Sequence, residues 1–425
     1  MQGGLYPSVD LNADYGWEDR KTPVVDFGDY ERDSIRFSVT QLLFDGFQTR
    51  DQARAFGYEE LSQYYNFHGT AQQTALDATV AYTTTVLYQR LVTYAEDNYV
   101  YHRQVFNKIE ERVLAGRDEG VNRDQATARL ALAESNLLTE VTNLYDTYVE
   151  FQRIITRPAG EGLPKPSLPP GMLPSLREEA LRVAYQNSPD VNRAIESLRS
   201  AREELNATRG PMYPRLDLRY RNQQESNING FRGDYELQAV ELLLTYNLYR
   251  GGTDSARRRE YAARYYSAVE DRKDACLGVR QQVLIAFNNV RALEQQVEYL
   301  TLQLDAQDKT RRAYDDQFER QERTLLDLLD SQNEYFNTQR ALAEAEARLV
   351  TAQATVLAET GVLTDALDTQ GFNADKIEAL ELDLSRRDSE EIPPCATESI
   401  PKIAIDQDSI FDRLDAEAQA SDAMP

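Results

Sequence analysis

Apolar and polar residues alternate strictly at the start of the chain. Val9, Leu11, Ala13, Tyr15 and Trp17 share one phase; Ser8, Asp10, Asn12, Asp14 and Gly16 share the other. A period of two places one face of a strand in an apolar medium and the other in water. A polar stretch, Glu18 to Asp33, reads as a loop. A second strand follows, with Ile35, Phe37 and Val39 against Arg36, Ser38 and Thr40. The alternation then stops at Phe44-Asp45-Gly46. Residues 50–115 contain no proline and predict one helix of about 66 residues, or ~100 Å. A shorter helix is expected over about 122–157.

The same order returns later. At a shift of 205, Phe44-Asp45-Gly46 falls on Tyr249-Arg250-Gly251, and Gln52-Ala53-Arg54 falls on Arg257-Arg258-Arg259. At a shift of 207, Tyr6-Pro7-Ser8-Val9-Asp10-Leu11 falls on Tyr213-Pro214-Arg215-Leu216-Asp217-Leu218. Such matches in order mark an internal repeat. The second copy has a strand through Leu216, Leu218 and Tyr220, a loop from Asn222 to Asp234, and a returning strand. In that strand the apolar phase jumps at Ala239–Val240, which suggests a bulge. A second long helix is expected over 255–320. Its heptad spacing sets Val283, Val290, Val297 and Leu304 beside Ala286, Leu293 and Leu300. Helices over about 324–360 and 175–210 complete the pattern. Two short helices end to end match one long helix, which favours a cylinder of long helices and stacked pairs.

Domain limits follow from the repeat. Residues 5–157 form the first repeat and 175–363 the second. Between them lies 158–174, part of a stretch with six prolines that reads as a stiff linker. Residues 364–425 are an acidic tail expected to be disordered; 365–425 hold 16 acidic and 5 basic residues. The helix at 175–210 has no counterpart before Tyr6, so the sequence is expected to begin about one helix and an export signal late.

Composition narrows the function. A net charge of −24 argues against nucleic acid. Charged residues at 28% and a mean hydropathy of −0.61 suit long, thin helices better than a large enzyme core. No window approaches 18 apolar residues, which excludes a transmembrane helix. A transmembrane barrel remains open, because its strands need only ~9–11 residues. Cys276 and Cys395 form no disulfide framework or metal site, and His68 and His102 are too few for a zinc cluster. No cofactor motif is present. Tyr6, Tyr15, Trp17, Tyr213, Tyr220, Tyr246 and Tyr249 flank the strands, as an interfacial aromatic girdle or simple strand propensity would place them.

The junction YNLYRGGTDSARRREYA and the turn with its helix, ERQERTLLDLLDSQNEYFNTQRALAEAEARL, resemble motifs of the TolC-like outer-membrane efflux family. The resemblance covers residues 5–363, and TLLDLLDSQNEYF is nearest to members serving type I protein secretion. It implies an α+β membrane protein and a homotrimer. Each chain would give four strands to a 12-stranded transmembrane β-barrel, and the helices would form a periplasmic α-barrel. The partners implied are a periplasmic adaptor, an inner-membrane transporter and outer-membrane lipid. Gly46, Gly251 and Gly252 then mark the strand–helix junctions, where unusual dihedrals are needed.

By the same resemblance, Asp327 and Asp330 line a periplasmic constriction and Arg323 acts as a latch. The i,i+3 spacing sets both carboxylates on one helix face. Three copies would give six carboxylates, a ring that favours cations. Acidic residues in a first helical turn also stabilise the helix dipole, which is the simpler role. Two residues depart from the family pattern: Gln321 stands where glycine is usual, although Gly116 is kept in the first turn, and Asn122 replaces an acidic latch partner. The expected function is a passive exit duct for type I secretion. The alternatives are the outer-membrane component of a small-molecule pump and a soluble coiled-coil scaffold. No nucleophile–base constellation supports an enzyme.

Overall fold

The computed structural model describes residues 2–169, 171–368 and 392–396. Four strands form one antiparallel sheet in the order β1 (Ser8–Lys21), β2 (Asp26–Phe44), β3 (Arg215–Ser226), β4 (Asp234–Thr245). The outer edges of β1 and β4 are open. The helices are α1 (Gln48–Leu114), α2 (Gly120–Ile155), α3 (Arg177–Asn187), α4 (Pro189–Ala207), α5 (Thr253–Glu319), α6 (Leu325–Glu359) and the short α7 (Leu363–Ala366). Both long helices have 67 residues. Residues 392–396 belong to a second unit and have no regular structure. The expected tail, 364–425, lies mostly outside the described residues. Neither cysteine is a free thiol.

The hairpins are longer than the alternation suggests. β1 runs to Lys21 and β2 starts at Asp26, so most of the stretch read as a loop over 18–33 is paired strand. Likewise β3 and β4 pair out to Ser226 and Asp234. These outer segments are mostly polar, with Phe27 and Tyr30 of β2 as isolated exceptions, so apolar alternation could not reveal them.

The register also removes the expected bulge. β3 and β4 pair without interruption from Arg215↔Thr245 to Ser226↔Asp234. Tyr235 and Leu237 therefore share a face with Glu241, and the apolar phase changes without a backbone irregularity. The irregularities lie at Asp19/Lys21 and at Leu42/Phe44.

The helix expected over 175–210 is two helices. Ser188 is extended (φ −58°, ψ 124°), and Pro189 opens α4. Proline disfavours helical backbone at the residue before it, and as the first residue of a helix it loses no intrahelical bond.

α4 lies along the first part of α1, where the Ser62 and Ser197 hydroxyls are 2.8 Å apart. α2 lies along the second part, where Gln89 Nε2 donates to Tyr148 at 3.1 Å. The two short helices thus share the length of one long partner. α6 packs between α1 and α5: Arg90 reaches Glu346 at 2.7 Å, and Gln303 donates to Thr338 at 3.2 Å. Val283, Ala286 and Val290 of the heptad are buried, as are Val356 and Leu357 of α6. At the end of the helices farthest from the sheet, Val105, Ile109, Ala126, Phe318, Leu325, Leu328 and Leu329 form a closed apolar core.

Candidate functional site

The sheet has two unlike faces. On one, Val9, Leu11, Tyr15 and Trp17 of β1 lie beside Ile35 and Phe37 of β2, Leu218 and Tyr220 of β3, and Val240, Leu242 and Leu244 of β4. All are exposed; Leu11, Trp17, Val240 and Leu244 each show about 70% of their surface (69, 73, 73 and 69%). A contiguous apolar face of this kind marks a surface meant for a partner or for lipid.

The opposite face is charged and cross-linked. Asp14 accepts from Ser34 Oγ at 2.5 Å, from Arg36 at 2.6 Å and from Arg32 at 3.1 Å. Arg36 also pairs with Glu225 at 3.2 Å, and Arg221 pairs with Glu241 at 2.5 Å. These contacts link every adjacent pair of strands. Of the flanking aromatics, Tyr6, Tyr213, Tyr246 and Tyr249 lie toward the helices, while Tyr15 and Trp17 lie toward the hairpin tips, opposite Asp33 and Glu31.

At the junctions, sheet becomes helix through two successive left-handed residues. In the second half these are Gly251 (φ 61°) and Gly252 (φ 82°). In the first half they are Gly46 (φ 68°) and Phe47 (φ 68°). The same backbone is thus built with one glycine fewer. Gly46 has a second constraint. A β-carbon there would sit 2.9 Å from the Gly210 carbonyl oxygen and 2.8 Å from the Tyr213 ring. Phe47 stacks edge-on against Phe44, with centroids 5.5 Å apart, and Arg50 lies 4.3 Å over its ring.

The two far turns repeat each other in the same way. After α1, the Gly116 N–H donates to Val113 O at 2.9 Å and the Arg117 N–H to Arg112 O at 2.8 Å. After α5, the Gln321 N–H donates to Phe318 O at 3.0 Å and the Glu322 N–H to Gln317 O at 2.8 Å. Both are Schellman closures, which need a left-handed residue. Gly116 (φ 67°) supplies it in one turn and Gln321 (φ 61°) in the other.

The helices leaving these turns start differently. Thr324 and Asp327 form a capping box at the head of α6: the Asp327 N–H donates to Thr324 Oγ1 at 3.2 Å, and the Asp327 carboxylate receives the Thr324 N–H at 3.4 Å. Arg323 Nη1 is 3.9 Å from the same carboxylate. At the head of α2, Asn122 instead donates to Asp118 at 2.6 Å. The structure therefore brings Arg323 and Asp327 together, and places Asp330 one turn farther along α6.

Asp330 has a partner that the sequence did not reveal. Arg129 of α2 reaches it at 2.5 Å, and Arg340 of α6 reaches Glu140 of α2 at 2.6 Å. These two ion pairs tie α2 to α6 past α1. His102 of α1, 4% exposed, lies near Arg129. Burial, and then the nearby Arg129 charge, lower its pKa to about 4, so the ring is neutral at ordinary pH. Among the described residues, no group of acidic, histidine and cysteine side chains could hold a metal ion.

Comparison with known proteins agrees with this geometry. The family described as Outer membrane efflux protein matches residues 180–362. The Brucella suis biovar 1 outer membrane efflux protein BepC is 23% identical over 365 residues, covering 83% of this chain and 77% of BepC. The Pseudomonas aeruginosa alkaline protease secretion protein AprF is 23% identical over 349 residues, covering 80% of this chain and 71% of AprF. The crystal structure of the Vibrio cholerae outer membrane protein VceC shares the fold, with a TM-score of 0.73 at 14% identity over 85% of this chain and 88% of that one.

An exposed apolar sheet face carried on long paired helices, with these likenesses, defines an outer-membrane channel protein reaching into the periplasm, a transport conduit and not an enzyme. More particularly, the chain is similar to the TolC-like outer-membrane efflux proteins.

Proposed function

We propose that three copies of this chain close their four-stranded sheets into one 12-stranded barrel, which serves as the exit duct of a tripartite export system. The carrying observation is the sheet itself: apolar and exposed on one face, ion-paired on the other, and open along β1 and β4. In lipid an open edge leaves backbone groups unpaired, so a spanning sheet must close on itself. Four strands cannot do so, and three symmetric copies can. The helical edges support the same closure. α2 exposes Leu138, Val141, Tyr145 and Val149, and α5 exposes Ile285, Tyr299 and Leu302. The repeated element order is the trace of a tandem duplication, with 5–157 and 175–363 as its copies.

In this reading an inner-membrane transporter and a periplasmic adaptor supply the energy and engage the far helical end. Asp327 and Asp330 line the constriction there, and their half-exposed carboxylates become six around the axis. Replacing both with alanine is expected to weaken block of single-channel current by trivalent cations. Unchanged block removes the ring.

The cargo is proposed to be an exported protein, as the likeness to AprF and the wording around TLLDLLDSQNEYF favour. The likeness to BepC supports small-molecule efflux as the second reading. Deleting the gene in its native host separates them. Loss of a secreted protein, with unchanged sensitivity to dyes and detergents, supports the first; the reverse result supports the second.

A further inference from the structure

The chain carries a net charge of −24, yet the start of α5 is basic. Residues 246–266 contain Arg250, Arg257, Arg258, Arg259 and Arg264 against Asp254 and Glu260. The matching stretch of the first half, residues 41–61, has Arg50 and Arg54 against Asp45, Asp51, Glu59 and Glu60. Gln52 and Ala53 stand where the second half has Arg257 and Arg258, so the shared turn geometry does not require those two; Arg259 has its counterpart in Arg54.

Two of the five arginines are already paired. Arg250 lies 3.4 Å from Asp254, and Arg264 lies 2.6 Å from Glu260. Arg257 borders a cavity of about 330 Å³ whose other walls include Glu59 and Glu204. Arg258 and Arg259 are exposed and, among the described residues, have no ion pair.

Their position gives them a use. The apolar face of β4 ends at Leu244, and the connection to α5 continues it with Leu248 and Tyr249, 87% and 86% exposed. Apolar and aromatic side chains left open there sit at the border between hydrocarbon and water. Arg258 and Arg259 stand five and six residues into α5, roughly 8–9 Å along its axis. Side chains on a helix lean toward its N-terminus, here back toward the sheet. Long arginine side chains then reach the layer just outside the hydrocarbon.

We propose that Arg258 and Arg259 form a docking site for the phosphate groups of anionic phospholipid in the periplasmic leaflet. The site rests on the reading of the sheet as lipid-embedded. Guanidinium groups bind phosphate with two parallel hydrogen bonds, and anionic head groups attract basic residues at a membrane surface. The site binds one half of each chain to the leaflet, which the acidic first-half junction cannot do.

Native mass spectrometry of the intact detergent-solubilised protein tests this, with phosphatidylglycerol and phosphatidylcholine supplied in equal amounts. The wild type is expected to retain phosphatidylglycerol in preference, on the order of tenfold. R258Q/R259Q is expected to lose that preference while keeping its oligomeric mass. K309Q/R312Q, with the same charge change far along α5, is expected to keep it. Equal retention of both lipids by the wild type overturns the site, as does a preference unchanged in R258Q/R259Q. If inorganic phosphate binds at the same arginines while no lipid is retained, the site is for a free anion and the lipid assignment fails. If R258Q/R259Q abolishes capture of a periplasmic partner while lipid retention is unaltered, the arginines serve a protein. Should the double variant misassemble, the wild type alone decides: phosphatidylglycerol is expected to raise its melting temperature above the value in phosphatidylcholine, and no difference overturns the proposal. A protein that retains neither lipid and stays soluble without detergent instead defeats the lipid-embedded reading itself.

Discussion

The two halves of the molecule build the same bends with different residues. At the junctions, Gly251–Gly252 in one half match Gly46–Phe47 in the other. At the far turns, Gly116 matches Gln321. Among these four bends, each half thus holds one left-handed position without glycine, Phe47 at the start of α1 and Gln321 just after the end of α5. A left-handed L-residue costs roughly 1–2 kcal/mol. At Phe47 that cost is offset by contacts with Phe44 and Arg50. At Gln321 no such contact stands against it: the side chain is exposed and Arg323 turns to Gln317 instead. The bends follow from topology, because a strand must become a helix and a helix must reverse. Residue choice then decides how much strain each bend keeps.

The comparison breaks most sharply at the junction glycines. Gly46→Val sets a branched side chain in left-handed backbone and drives it against the Gly210 carbonyl and the Tyr213 ring. The expected loss is roughly 3–5 kcal/mol, combining backbone strain with overpacking. Gly251 has open space around it, so Gly251→Ala is expected to cost only about 1 kcal/mol. Thermal unfolding of the two variants tests this; equal shifts would mean that packing at Gly46 contributes nothing.

The next effect lies in the far core. His102 is held neutral, with a pKa lowered to about 4 from 6.5. The unfolded chain therefore takes up its proton first as pH falls. Stability is complete above about pH 6.5 and declines from there toward pH 4, by about 2 kcal/mol at pH 5. A His102→Gln variant is expected to flatten that decline in denaturant titrations at pH 7 and pH 5. An unchanged slope would assign the pH dependence to other groups.

Smaller shifts sharpen the contrast between the two non-glycine bends. Gln321→Gly is expected to stabilise the protein by about 1 kcal/mol, because it removes strain and no side-chain contact. Phe47→Gly relieves the same strain but loses the ring contacts, so it is expected to gain nothing or to destabilise. A melting temperature that rises equally in both variants would contradict the role given to Phe47.

The smallest stability effect belongs to Arg129→Ala. Its pair with Asp330 is partly exposed, and such pairs contribute ~0.2–1 kcal/mol. The same change removes one of the two causes that lower the His102 pKa, so the imidazole titration followed by NMR is expected to move upward.

Much of this architecture is legible in the sequence for physical reasons. A proline-free run of some 66 residues can hardly be anything but a long helix, and α1 and α5 begin and end within about two residues of the expected limits. Strict alternation reveals strands only where one face meets an apolar medium, so β1 is clear at Val9–Trp17 and silent beyond it. The helix break at Ser188 was readable from Pro189, yet the surrounding helical pattern masks it. The pairs Arg129–Asp330 and Glu140–Arg340 join residues about 200 positions apart. No local pattern announces them; only packing of α2 against α6 does. The Asp327 capping box was visible as a threonine three residues before an acid, and it gives that carboxylate a structural role besides any role in the channel.

The central claim is that this sheet is a third of a closed, lipid-embedded ring. Electron cryo-microscopy of the detergent-extracted protein tests it most directly. The account predicts three 48.5 kDa chains sharing one 12-stranded barrel, with Leu11, Trp17, Val240 and Leu244 facing the detergent. A single chain that needs no detergent, with that face covered by its own residues, would contradict it.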